Sequence, residues 1–300
     1  MVRVAIAGGT GGLGRSIAES IASTQKHELI VLSRSASDPD LEKLGAKIVP
    51  VSYSDPASLD HALAGVHTVI SVLFARDSDE FISSHLALLD AAVRAGAKRF
   101  APSEWNLTIL HDTTYGLYKP KAVVADAVRK SGLEYTFFEN GVFMNYLGHG
   151  TPGAGYINNF SFAVDIGKCT AAIPGDGNNK IPFTLTKDVG DFVAASLDLD
   201  KWPEVSMMAG DLKAYNEILA LAEDIRGKKF DVTYLSVDQL NSQLDPNPAS
   251  VLTNALTEVM LVVATARLVP EDFNLNALLP QVKPATLEEY LRKWWGKVDE

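Results

Sequence analysis

The chain has 300 residues, of which 47% are hydrophobic, enough for one large packed domain or two modest ones. Its net charge of −10 comes with no basic cluster, which excludes nucleic acid or an anionic membrane as an electrostatic partner. Cys169 is the sole cysteine, so no internal disulfide forms and a reducing compartment is the simplest setting.

The first elements carry most of the information. Val2 to Ala7 is a short apolar run that reads as a buried strand. The glycine run GGTGGLG at 8–14 follows, then Arg15 to Thr24 with apolar residues at helical spacing, then a second strand at Glu28 to Leu32. Together these predict a right-handed βαβ unit with a phosphate-binding turn. Gly8 allows the turn off the strand, Gly11 lets the backbone approach a pyrophosphate, and Gly14 lets the helix pack close to the sheet. Thr10, Gly12 and Leu13 complete the loop, whose free amides at the helix start face the negative charge. The second strand ends Leu32-Ser33-Arg34-Ser35 with no acid until Asp38. A carboxylate there would take the ribose 2′-hydroxyl of NAD, whereas the Arg34 guanidinium can fork onto a 2′-phosphate, so NADPH is the expected cofactor. Gly9 through Ser16 also approaches the phosphate loop of nucleotide hydrolases. Arg15 stands where that motif needs lysine, and no apolar strand ending in aspartate follows, so that reading is rejected.

Further along, Asp38-Pro39 and Asp55-Pro56 open short helices by cap-then-proline logic, around a third strand at Lys47 to Val51. Ser52 and Tyr53 after that strand are expected to border the cofactor. So are Leu73 and Phe74 at the end of a fourth strand, Val66 to Phe74. A helix over Phe81 to Ala95 is closed by Gly96, and a fifth strand at Lys98 to Ala101 ends in Pro102-Ser103-Glu104-Trp105. Ser103 and Lys121, and Asn140 and Phe143 beyond a sixth strand at Glu134 to Glu139, complete the expected cofactor set. The regular alternation predicts an α/β fold, a doubly wound parallel sheet of Rossmann type with a smaller, mostly helical substrate lobe.

After Asn140 the periodicity breaks down. Residues 148–182 carry seven glycines. A strand at 183–185 and a helix through Leu199 are expected to return to the sheet. Helices are expected at 213–226, 236–243, 249–267 and 286–295, with a strand at 230–234. The dinucleotide-binding domain is thus expected over 1–147 with 183–200, and the substrate-side lobe over 148–182 and 201–300. Val251 to Val269 is too short and too interrupted by Glu258 and Arg267 to span a bilayer, and is expected as a buried helix. Met1 leads straight into the first strand, so no signal peptide and a cytoplasmic location are expected.

Two groups compete for the reactive role. Tyr115 and Lys119 have the Y-x-x-x-K spacing of ordinary short-chain dehydrogenases, with Ser103 upstream. Pro120 disfavours helical geometry at Lys119, making Lys119 the cap and leaving Tyr115 in the loop. Lys121, on the first turn of the helix Pro120 to Lys130, is the other; from its position alone it reads as a solvated helix-start lysine. No metal-ligand spacing is present among the six histidines. His111 and His149 read as polar loop residues, Cys169 as a packing residue, and Trp294 and Trp295 as anchors of the last helix.

The chain resembles the isoflavone-reductase and NmrA-like branch of the short-chain dehydrogenase superfamily over at least residues 1–200. The matching residues are GGTGGLG, the strand end with Arg34, RFAPSEW at 99–105, KAVVADAVRKSGLEYT at 121–136, and GDGNNK at 175–180 with Asp188. In that family the reactive lysine lies fifteen residues before the threonine of the sixth strand, the place Lys121 holds before Thr136. Isoflavone, phenylcoumaran benzylic ether and pinoresinol–lariciresinol reductases of this branch use NADPH on phenolic substrates. The resemblance therefore implies an NADPH-dependent reductase of a small aromatic or conjugated metabolite, with Lys121 reactive. Two departures keep plant substrates from being carried over: Gly12-Leu13 replaces an aromatic–isoleucine pair, and Trp105-Asn106 replaces phenylalanine–glycine. The alternative is a dinucleotide-sensing regulator without catalysis, which Lys121 and the complete glycine loop argue against.

Overall fold

The computed structural model describes residues 1–35, 37–107, 114–157, 160–265 and 273–296. Its centre is a six-stranded, all-parallel sheet in the order β3-β2-β1-β4-β5-β6. The strands are β1 (Arg3–Ala7), β2 (Glu28–Ser33), β3 (Lys47–Pro50), β4 (Thr68–Ser71), β5 (Arg99–Ala101) and β6 (Glu134–Tyr135). The crossovers are α1 (Gly12–Thr24), α2 (Pro39–Lys43), α3 (Pro56–Ala62), α4 (Ser78–Arg94) and α5 (Lys119–Lys130). Strand order reverses between β1 and β4, which opens a crevice at their carboxyl ends.

The period-two alternation of β1 divides the core. Val4 and Ile6 face Ile17 and Ile21 of α1, while Ala5 and Ala7 face Leu59 of α3, Leu88 of α4 and Val124 of α5. Asp38, Asp55 and Asp77 cap α2, α3 and α4 through their side chains, each cap contributing about 1 kcal/mol.

Beyond β6 the expectations need correction. The single strand expected over 134–139 is divided into β6 and β7 (Phe137–Glu139), the latter paired with β12 (Val205–Met207) on its other side. β5 stops before Pro102, which has no N–H to extend a ladder, so the chain past Thr136 takes its partner from the opposite edge. Thr136 makes the transfer, its hydroxyl donating to Ser206 Oγ at 2.7 Å.

The lobe expected to be mostly helical holds two three-stranded sheets. One joins β8 (Val142–Phe143), β11 (Lys180–Thr184) and β13 (Asp211–Ala214); the other joins β9 (Val164–Asp165), β10 (Thr170–Pro174) and β14 (Asp231–Leu235). The strand expected at 183–185 therefore does not join the central sheet. The helix after it, α6 (Thr186–Ser196), does pack on α1. Gly190 allows that approach, since a Cβ there would lie 2.6 Å from the Ser16 carbonyl oxygen.

The remaining helices are α7 (Tyr215–Arg226), α8 (Val237–Ser242), α9 (Val251–Thr265), α10 (Asn274–Leu278) and α11 (Leu287–Trp295). α9 is buried on one side only, with Leu256 51% exposed, rather than throughout. Residues 266–267 of its expected range lie outside the described residues, as does His111. Trp295 anchors α11 by donating to the Leu147 carbonyl at 2.8 Å, and buried Cys169 packs in the second lobe's core.

Asp188 joins α6 to the segment before α11, accepting the Ala285 N–H at 2.9 Å. Burial pushes its pKa up to about 6, against the opposing pull of that N–H. Because the folded value exceeds the unfolded one, the protonated form's stabilisation is complete below about pH 4 and lost as pH rises through 6. Asp188→Asn, which keeps an acceptor without a charge, is expected to gain about 2 kcal/mol at pH 8 and little at pH 4. Thermal melts at both pH values check this; an equal shift at both would contradict it.

Candidate active site

The glycine loop separates into residues the fold needs and residues that leave room. Gly8 has φ +86°, and a Cβ there would meet the Val72 carbonyl oxygen at 2.8 Å. At Gly14 a Cβ would lie 2.1 Å from the Gly8 carbonyl oxygen, closer than any real contact. Gly11 caps α1 with extended backbone, and neither it nor Gly12 would bring a Cβ within 4 Å of another atom. The space above the first turn of α1 is open.

Gly8, Thr10, Gly11, Arg34, Tyr53, Leu73 and Phe74 line one cleft at this crevice, together with Phe81 and His85 of α4. The Arg34 side chain is exposed there, and among the described residues no carboxylate pairs with it. Arg15, by contrast, is engaged by Glu19 at 2.7 Å and by both oxygens of Asp38 at 3.0 and 2.8 Å. Two expected positions are engaged by the protein itself. The Leu13 side chain lies in the hydrophobic core, which leaves only its backbone for a ligand. Exposed Ser52 is held in its own turn, its hydroxyl with Ser54 and its N–H with Ser58.

The second group gathers around Lys121. Pro120 lacks the N–H that the first turn would leave unused, so α5 accommodates it and begins one residue earlier than expected. Tyr118 is the cap and Lys119 the first helical residue, an exposed one. Tyr115 sits in the turn ahead of the helix, so Tyr115 and Lys119 do not share a helix face. Lys121 Nζ donates to the backbone carbonyl of Glu104, just past β5. Burial lowers the Lys121 pKa, opposed by the charges of Glu104 and Glu139. Burial also raises the Glu104 pKa, opposed by Lys121 and by the Asn106 amide.

One neighbour escaped the sequence reading. His85 is completely buried and held near a pKa of 4, chiefly by burial. Its Nδ1–H donates to the Phe81 carbonyl at 2.8 Å and its Nε2 accepts from Ser71 Oγ at 3.0 Å, the tautomer those partners require. The available signal was a polar residue on the apolar stripe of α4, among Phe81, Leu88 and Leu89. Trp105 donates from Nε1 to the Ser71 carbonyl at 2.9 Å and stacks on Phe138. Ser103 and Asn140 are buried, and Asn140 Oδ1 has no hydrogen-bond donor among the described residues. Phe143 contacts Tyr146 edge-on at 6.0 Å. His149 follows a short 3-10 turn at Met144–Gly148.

The sequence pattern of the NmrA-like family matches residues 2–291. The chain belongs to the NmrA-like family. Among the relatives of this NmrA-like protein, Oxidoreductase BOA1 of Botryotinia fuckeliana is 36% identical over 236 residues, covering 77% of this chain and 78% of its own. Phenylcoumaran benzylic ether reductase IRL1 of Ginkgo biloba is 27% identical over 313 residues, covering 97% and 98%. Among solved structures, AtPrR2 with NADP+ and (+)pinoresinol superposes with a TM-score of 0.79 at 23% identity, covering 98% of both chains. That likeness establishes the shared fold, including the six-stranded parallel sheet.

Proposed function

We propose that this NmrA-like protein is an NADPH-dependent oxidoreductase that reduces a small aromatic or conjugated metabolite. The observation that carries the reading is the placement of a half-buried lysine, Lys121, beside the carbonyl end of β5, next to a crevice whose glycine loop leaves open space. The names of its relatives point to the same chemistry.

The residues present fit the dinucleotide. Thr10, Gly11 and Gly12 would take the pyrophosphate, Arg34 the 2′-phosphate, and Tyr53 the adenosine end. Leu73 and Phe74 would flank the cofactor, with Ser103, Asn140 and Phe143 at its nicotinamide end. Asn140 Oδ1 is a buried acceptor suited to an amide N–H. When bound, NADPH supplies the hydride. Lys121 holds the complementary proton at Nζ and delivers it to, or polarises, the substrate oxygen. Burial eases that transfer by bringing the lysine pKa toward the working pH. His85, neutral through the working range, holds Ser71 in place without adding charge. We assign nucleotide binding to 1–147 with the α1-packed helix of 183–200, and substrate binding to 148–182 and 201–300.

The test is a panel of phenolic and conjugated carbonyl compounds followed by NADPH absorbance at saturating enzyme, expected to show turnover. Tight NADPH binding with no oxidation across the panel would favour a cofactor-sensing regulator instead. Cofactor choice is a separate expectation. Arg34 should favour NADPH over NADH by roughly 1.5–3 kcal/mol, about 10- to 150-fold. Titrating both cofactors against wild type and Arg34→Ala reads this directly; a preference that survives in Arg34→Ala would assign the 2′-phosphate elsewhere.

A further inference from the structure

We propose that Glu258 is a positioning residue that couples the substrate-side helix α9 to the helix carrying Lys121; this rests on Lys121 being the reactive group. Glu258 is the single charged residue of α9, whose sequence VLTNALTEVMLVVAT is otherwise apolar or neutral. Its side chain is turned inward, 6% exposed. A carboxylate so placed is costly unless its oxygens are satisfied.

They are satisfied by backbone. Glu258 Oε1 accepts the Gly116 N–H at 2.9 Å and Oε2 accepts the Leu117 N–H at 2.9 Å, across 142 and 141 residues of sequence. Among the described residues no lysine or arginine pairs with it, so holding this turn is its visible work. The fit is close: a Cβ on Gly116 would stand 3.2 Å from Oε1.

The place of those two amides gives the contact its consequence. They immediately precede Tyr118, the cap of α5, whose side chain makes no capping hydrogen bond. Lys121 lies three residues further on. The approach to α5 is thus fixed from another lobe, by two charge-assisted bonds, rather than by a local cap. Val259 and Met260, next on α9, pack against the same core as Tyr115 and Leu117. Any shift of α9 is therefore carried into the turn and the first turn of α5. A released turn would admit water to that end of the helix and relieve the burial that lowers the Lys121 pKa.

Glu258→Gln tests this, because it keeps the shape but turns an NH₂ toward one of the two amides. Amide exchange across 114–118 is expected to speed up at least tenfold, and kcat to fall about tenfold with the NADPH Kd within twofold. The alkaline limb of kcat should move up toward the ordinary lysine value. Glu258→Asp, retaining the charge, should recover part of kcat. A folded Glu258→Gln protein with unchanged exchange and unchanged kcat would overturn the proposal. So would parallel losses of kcat and NADPH affinity with no movement of the pH limb, as expected for general destabilisation. Should wild type turn over nothing, the reductase reading fails by itself, and exchange at Gly116 and Leu117 still decides whether Glu258 holds the turn.

Discussion

Lys121→Ala is expected to lose about 10²–10⁴-fold in turnover while its NADPH Kd stays within a few-fold of wild type. That loss corresponds to about 2.7–5.5 kcal/mol of transition-state stabilisation, the span of a positioned proton donor. The cleft lined by Gly8, Thr10, Arg34 and Tyr53 does not include Lys121, so the binding surface survives the substitution. Removal of the amine also takes one of two donors from the Glu104 carbonyl, the Asn106 amide remaining at 2.9 Å, and a thermal melt separates that local change from the kinetic effect. Tyr115→Phe should change turnover less than tenfold, because the turn places Tyr115 ahead of the helix and off the face of Lys119. A dead Tyr115→Phe beside an active Lys121→Ala would restore the ordinary tyrosine–lysine pair. In the wild type, the alkaline limb of kcat should fall below the ordinary lysine value of about 10.5, since burial destabilises the protonated amine.

The glycine loop offers a contrast of nearly equal size. Gly14→Ala is expected not to fold: the new methyl would overlap the Gly8 carbonyl oxygen, and relief requires moving α1 off β1. Gly11→Val should fold with a melting temperature within a few degrees of wild type, because its Cβ meets nothing and its backbone is extended. The same side chain occupies the space above the first turn of α1, so NADPH affinity should drop by more than 100-fold. Circular dichroism and a cofactor titration on both variants separate the roles. A Gly11→Val protein with wild-type affinity would mean that the loop is only a turn.

How much of this was legible follows from the range of the interactions. The βαβ units, their caps and the crevice are written locally: Asp38-Pro39, Asp55-Pro56 and the alternation in β1 each specify structure within a few residues. The glycine spacing and the end of β2 are likewise local, and Gly8, Thr10, Gly11 and Arg34 line one cleft. What escaped depends on distant partners. Thr136 changes edge because Pro102 ends β5 and Ser206 stands ready on the other side. β8, β9 and β10 are two to five residues long, too short for a period to declare itself. Gly116 and Glu258 are separated by most of the lobe, and no local pattern links them. Leu13 was assigned to the cofactor from its place in the motif, whereas its side chain follows the apolar stripe of α1 into the core.

The most direct measurement follows the hydride itself. Wild type and Lys121→Ala would be incubated with NADPH deuterated at C4 and each panel compound in turn, with product mass read by spectrometry. One deuteron should appear in the product formed by wild type, and at least 100-fold less in that formed by Lys121→Ala at matched NADPH occupancy. Equal deuteration by the two proteins, or NADPH-saturated wild type that deuterates no compound, would contradict a Lys121-assisted reductase.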